Sequence, residues 1–178
     1  MAVTIAGTQL KAMTFDGQTV KKWIHDGVQV FSAATQFYPG KTPTVLNQSS
    51  VGSYTATSTT WQCSVPNGTN YNSTVTYLAM DLTNVKTLTI EGSSSGGLAG
   101  YYLVSQAQMN SYGGNYGLLW YPYYVFYQPN ESIYTNKGTS LPVTINVASY
   151  SGTYYLCLGC YSNSSGNQSA QITAVKGE

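Results

Sequence analysis

Apolar and polar residues alternate in short runs along most of this chain, and Gly, Asn, Ser or Pro separates one run from the next. Alternation with period two marks strands that bury one face and wet the other. In the run from Thr74 to Leu82, one face carries Val75, Tyr77, Ala79 and Asp81, and the other Thr76, Leu78, Met80 and Leu82. Leu88 and Ile90 alternate with Thr87 and Thr89 in the same way. The pattern predicts strands over Ser53–Thr57, Thr60–Val65, Thr74–Asp81, Lys86–Glu91, Tyr101–Val104, Leu141–Val147, Thr153–Tyr161 and Gln168–Val175. Pro66-Asn67-Gly68, Asn136-Lys137-Gly138 and Ser151-Gly152 read as turns, and Gly92–Gly100 as a flexible loop or wide hairpin. Ser105–Asn110 has room for one helical turn. Leu118–Tyr127 is the most aromatic run. Pro122 cannot donate a ladder hydrogen bond, so the run reads as an edge strand or as two pieces meeting at a bend.

The first thirty-odd residues follow a tighter rhythm. Phe15-Asp16-Gly17-Gln18-Thr19-Val20 is echoed ten residues later by His25-Asp26-Gly27-Val28-Gln29-Val30. Asp-Gly suits a two-residue hairpin turn, because glycine takes positive φ without steric cost. Val3–Ile5, Leu10–Phe15, Thr19–Ile24 and Val28–Phe31 are the predicted strands, with Lys21 and Lys22 on a solvated face or edge. Ser32–Lys41 then reads as a linker with a Tyr38-Pro39-Gly40 turn. The expected fold is all-β: a short N-terminal β-meander over 1–34 and a jelly-roll-like β-sandwich over 35–178. A meander this small does not stand alone and must dock on the rest of the chain or on another subunit. Phe15, Val20, Trp23, Ile24, Val28, Val30 and Phe31 are its candidate assembly residues.

Composition narrows the partners. Only 7% of the 178 residues are charged and the net charge is +1. A basic footprint for nucleic acid is therefore missing, and so is the polybasic run of a membrane-surface binder. No stretch has the apolar length of a membrane span, and no secretory signal is visible, so synthesis in a cytoplasm is expected. The three cysteines, Cys63, Cys157 and Cys160, show no disulfide-framework spacing. Cys157 and Cys160 form a CxxC within a predicted strand, where positions three apart face opposite ways, and a structural role is expected for all three.

Catalytic chemistry finds little support, and no catalytic residue, metal site or cofactor is expected. His25 is the single histidine and directly precedes a turn. The acidic residues are Asp16, Asp26, Asp81, Glu91, Glu131 and Glu178. Pairing of the strands carrying Asp81 and Glu91 would bring two carboxylates together as a glycosidase requires, but the composition singles out no such pair. Asp81 alone is a thin start for a calcium site. Nucleophile-elbow, HExxH and phosphate-loop motifs are absent. Binding chemistry is better supplied. Tyr112, Tyr116, Trp120, Tyr121, Tyr123 and Tyr124, with Tyr127 beyond them, are interleaved with Ser, Asn and Gly. Aromatic faces suit the apolar face of a sugar ring, and small polar residues give adaptable hydrogen bonds. The same rings equally suit the sandwich core and a subunit interface.

One stretch carries a resemblance. Gly7-Thr8-x-Leu10-Lys11-x-Met13-x-Phe15-Asp16-Gly17, followed by Val20-Lys21-Lys22-Trp23-x-x-Asp26-Gly27-x-x-Val30-Phe31, resembles the N-terminal segments of small virion proteins of tailed phages and prophages. Asp81–Ile90, Gly152–Leu156 and Ala170–Val175 are similar to jelly-roll modules appended to phage tail and baseplate proteins. The resemblance implies a virion structural protein, made in the host cytoplasm. It would be tail, baseplate or fibre associated, with other virion proteins as partners. A homo-oligomer, trimeric if on a fibre, and contact with host cell-surface glycan are also implied. Capsid decoration and a free lectin-like carbohydrate-binding module are the alternatives.

Overall fold

The computed structural model describes residues 4–5, 8–9, 14–15, 18–19, 22–25, 28–32, 34–48, 52–67, 72–112, 122–162 and 166–178, with side chains from 34 onward except at 47–48 and 72–73. The chain divides into two compact units, Met1–Thr35 with Glu178 and Gln36–Gly177.

Among the described residues, the first unit holds three antiparallel two-stranded ladders: β1 (Thr4–Ile5) with β2 (Thr8–Gln9), β3 (Thr14–Phe15) with β4 (Gln18–Thr19), and β5 (Lys22–His25) with β6 (Val28–Ser32). The innermost pairs are Ile5↔Thr8, Phe15↔Gln18 and His25↔Val28, so the hairpin recurs every ten residues. Asp16-Gly17 and Asp26-Gly27 occupy two of the intervals. Ala6-Gly7 occupies the third, a copy that the Asp-Gly signature alone does not reveal. Of the candidate assembly residues, Phe15 lies in β3, Trp23 and Ile24 in β5, and Val28, Val30 and Phe31 in β6. Val20 lies outside the described residues.

The expected linker is partly strand. β7 (Thr35–Tyr38) pairs with the last strand of the chain. Burial of two rings explains it. Phe37 and Tyr38 are core residues, and Tyr38 meets Trp61 edge-on at 5.5 Å. Phe37 occupies the space that a side chain at Gly177 would need, 2.8 Å from a Cβ built there.

The second unit continues with β8 (Thr44–Gln48), which the sequence pattern does not announce, then β9 (Ser53–Ala56), β10 (Trp61–Val65), β11 (Asn72–Asp81), β12 (Thr87–Ser95) and β13 (Ala99–Ser105). Helix α1 (Gln106–Tyr112) and a π-helical turn (Tyr123–Tyr127) follow. β14 (Asn136–Gly138), β15 (Val143–Asn146), β16 (Thr153–Ser162) and β17 (Gln168–Gly177) complete it. One sheet runs β15-β12-β17-β10-β9, with β7 also on β17; the other runs β14-β13-β16-β11-β8. Within β10–β17, first pairs with last inward: β10 with β17, β11 with β16, β12 with β15, β13 with β14. Within that set, β13 and β14 alone are consecutive strands in one sheet. A long hairpin rolled up in this way is a jelly roll, and β7, β8 and β9 extend its sheets.

The facing sheets bury Trp61, Leu78, Met80, Leu88, Ile90, Leu103, Leu156, Leu158 and Ile172 between them. Trp61 Nε1 donates to Thr76 Oγ1 across the sheets at 2.6 Å, which satisfies a buried donor. A bulge lets β17 bury both Ile172 and Val175. Gly92 is opposite Ile172 while Glu91 is opposite Ala174, so Thr173 is extra and the inward phase shifts by one.

Three further expectations change. Gly92–Gly100 is mostly strand, because β12 runs through Ser95 and β13 starts at Ala99. Gly92 permits this close pairing: a Cβ there would lie 2.0 Å from the Gln171 carbonyl oxygen. Asn136–Gly138 is a strand, because β13 offers it a free edge at Tyr101–Leu103. The described part of Leu118–Tyr127 is a π-helical turn. Here Pro122 accepts from the Phe126 N–H at 2.7 Å, and the Tyr123 carbonyl accepts from the Gln128 N–H at 2.8 Å. Residues 118–121 lie outside the described set.

Candidate functional site

The second sheet is apolar on both faces. Its back carries Val75, Tyr102, Val104 and Cys157, which the excursion between β13 and β14 covers with Val125, Phe126 and Ile133. Phe126 meets Tyr102 edge-on at 6.0 Å. Pro122 rests where Gly159 has no side chain; a Cβ there would lie 3.0 Å from Pro122 Cγ. Gln108 pins the excursion. Its Oε1 accepts from the Ser105 N–H at 2.9 Å and the Thr135 hydroxyl at 2.9 Å, and its Nε2 donates to the Ser132 carbonyl at 3.1 Å. Lys137 Nζ donates to the Val125 carbonyl and lies 5.3 Å from the Tyr134 ring centre. Loss of solvent around that amine lowers its pKa.

This packing places the described members of the aromatic run. Tyr112 and Tyr124 are half-buried and lean on the second cluster, with the Tyr112 hydroxyl 3.4 Å from Ser132 Oγ. Tyr123 gathers with Tyr127 and Tyr161 at centroid distances of 5.5 and 5.3 Å, and Tyr127 lies 5.7 Å from Tyr161. Tyr127 is 48% exposed, so the group reaches solvent through its ring, while Tyr161 is buried behind it. Tyr161 enters this group from β16, about thirty-four positions beyond Tyr127, and no local pattern links them. Tyr116, Trp120 and Tyr121 lie outside the described residues.

A second surface emerges only from strand register. On the outer face of the first sheet, Ser93, Gln171, Gln62 and Thr55 are successive cross-strand neighbours. Ser95, Ser169, Ser64 and Ser53 form the adjacent row. A shallow groove of about 260 Å³ opens along them, lined by Ser53, Thr55, Gln62, Ser64, Ser93, Ser169 and Gln171, with Tyr54 among the lining residues. No charged residue lines it. Ser53 and Ser64 hydroxyls are 2.7 Å apart. The clue in sequence is the polar phase of WQCSV and QSAQIT, which puts Gln62, Ser64, Ser169 and Gln171 on outward positions.

Two carboxylates have local partners. Glu91 pairs with Lys176 at 2.7 Å, with both side chains near half exposure. Asp81 Oδ1 accepts from the Thr83 N–H at 2.9 Å. Hydrogen bonds from Thr83, the hydroxyl first and the backbone second, hold that carboxyl below its ordinary range. Among the described residues, no three His, Cys, Asp or Glu side chains gather as a metal would require. Cys157 and Cys160 face opposite ways: Cys157 belongs to the back of the second sheet, and Cys160 to the core between the sheets. Neither the family models nor the curated proteins searched match this chain.

Proposed function

We propose that this protein is a structural component of a phage virion, associated with the tail, baseplate or fibre. In this reading it is mounted by its N-terminal segment and displays the jelly roll. The observation that carries the reading is the ten-residue recurrence of two-stranded ladders in the first unit. A two-stranded hairpin is at best marginal in water, so a series of them implies an assembly that covers them. The motif-bearing Gly7–Phe31 segment coincides with those ladders. A jelly roll is common to capsid, receptor-binding and lectin domains, so the display role rests on the first unit and not on the fold.

Light scattering of the full chain and of a chain beginning at Thr35 tests the proposal. The expected result is an oligomer that becomes a folded monomer on truncation. A full-length monomer that also fails to associate with purified virions would overturn it. Gold-labelled antibody on virions separates a tail position from capsid decoration.

The uncharged groove supports a role in contacting host-surface glycan, because hydroxyl and amide side chains match the donors and acceptors of a neutral sugar. Double substitution Gln62→Ala and Gln171→Ala is expected to abolish retention on neutral cell-wall polysaccharide while leaving the thermal midpoint unchanged. Tyr127→Ala tests the aromatic surface in the same assay. If the protein is monomeric but binds glycan, the free lectin-like module is the better description.

A further inference from the structure

Cys63 projects from β10 in the first sheet and Cys160 from β16 in the second, and both are buried in the core between them. Their sulfurs are 2.7 Å apart. That is closer than the roughly 3.5–4.0 Å at which even carbon atoms rest in contact. It is within an ångström of the roughly 2.05 Å of a closed S–S bond. Both thiols are free in this structure. Cys157, the nearer partner in sequence, faces the opposite side of the same sheet and has no route to Cys160.

We infer that Cys63 and Cys160 are a redox-addressable pair that closes to a disulfide between the two sheets when the protein meets an oxidising environment. The pair would be dithiol in a reducing cytoplasm and would close outside it. The oxidant class is a low-molecular-weight disulfide such as glutathione disulfide. One protein thiolate attacks it, forming a mixed disulfide and releasing one glutathione thiol. The second protein thiolate attacks the protein sulfur of that mixed disulfide and releases the second. Two protein thiols are oxidised, one disulfide is reduced to two thiols, and the two thiol protons balance the two released thiolates. Burial raises the Cys63 thiol well above its ordinary pKa, and its neighbour Cys160 adds to the effect. Exchange therefore proceeds while the chain folds or transiently opens, and the closed bond is shielded from reductant afterwards. The inference is independent of the virion reading.

The test is a thiol count on the full chain. Protein refolded from denaturant in a glutathione redox buffer is alkylated under denaturing conditions and mapped by mass spectrometry. The expected result is alkylation at Cys157 alone, an intact mass lower by two hydrogens before alkylation, and a linked peptide joining Cys63 to Cys160. The same map on native protein held in glutathione disulfide at raised temperature covers a failure to refold. The oxidised form should also melt higher than the reduced form, a difference that Cys63→Ala and Cys160→Ala each erase and Cys157→Ala keeps. Three alkylated cysteines in both preparations, or a link through Cys157, would overturn the inference. The second result is the one that short loop closure in an unfolded chain favours, since Cys157 and Cys160 are only three apart.

Discussion

Single side chains hold the two sheets together in ways that substitution can read. Trp61 Nε1 has a buried partner in Thr76 Oγ1. Thr76→Val keeps the shape but leaves the indole N–H unpaired, so a loss of about 1–3 kcal/mol is expected from chemical denaturation, with an unchanged m-value. A second residue-scale effect is electrostatic. The Asp81 carboxyl has a folded pKa below its unfolded one, held there by Thr83. The folded state thus favours the ionised form. Its contribution is present above the unfolded carboxylate pKa of about 3.9 and is lost as pH falls through the folded value. Asp81→Asn is expected to flatten the acid limb of the stability profile by lowering stability slightly near neutral pH, where the ionised carboxylate contributes, and to leave stability below the folded pKa little changed. Thermal scans of both proteins across the acid range check this.

At the scale of elements, the excursion between β13 and β14 is where packing accounts for part of the aromatic run. Its aromatic wealth reads equally as a ligand platform or as packing. The described half, Tyr123–Tyr127, is a lid on the back of the second sheet, where Val125 and Phe126 are buried. Phe126→Ala opens that cluster and is expected to cost about 3 kcal/mol, toward the lower end for a large aromatic because the site is at a sheet surface and not between sheets. The loss should appear in hydrogen exchange as faster opening of β14, α1 and the π-helical turn than of β10 and β17. Equal acceleration throughout would show the lid to be part of one cooperative core. Element identities were mostly legible here. Thr74–Leu82 buries Leu78, Met80 and Leu82 between the sheets and Val75 behind, following the alternation in sequence. β14 and the Gly92–Ser95 half of β12 were not legible, because Gly, Ser, Asn and Lys carry no strand signal and are recruited by a neighbouring edge.

For the molecule as a whole, the boundary between units is sharp enough to test. A chain beginning at Thr35 retains β7, and with it Phe37 and Tyr38. One beginning at Lys41 loses both rings from the core. Each buried aromatic is worth about 1.5–3 kcal/mol. The Thr35 chain is therefore expected to unfold at a denaturant midpoint near that of the full protein, and the Lys41 chain at a clearly lower one or not to fold. Equal midpoints would show that β7 is dispensable. The jelly-roll order itself depends on pairings such as Trp61↔Ile172 and Asn72↔Ser162, about a hundred positions apart. Such pairings leave no mark in any local window.

By itself the sequence determined the all-β class, most strands of the sandwich, the ten-residue hairpin rhythm at the N-terminus, and the poverty of charge and catalytic groups. These follow from local chemistry: period-two alternation, Asp-Gly turns, and the presence or absence of residue types. Only the tertiary structure decided that the strands roll up as a jelly roll and that Ser93, Gln171, Gln62 and Thr55 line up across four strands. It alone placed Tyr161 beside Tyr123 and Cys63 beside Cys160. The physical reason is one of range. Alternation states which face of a strand is buried but not which strand lies opposite, and that choice is made by long-range register and by the packing of both sheets at once.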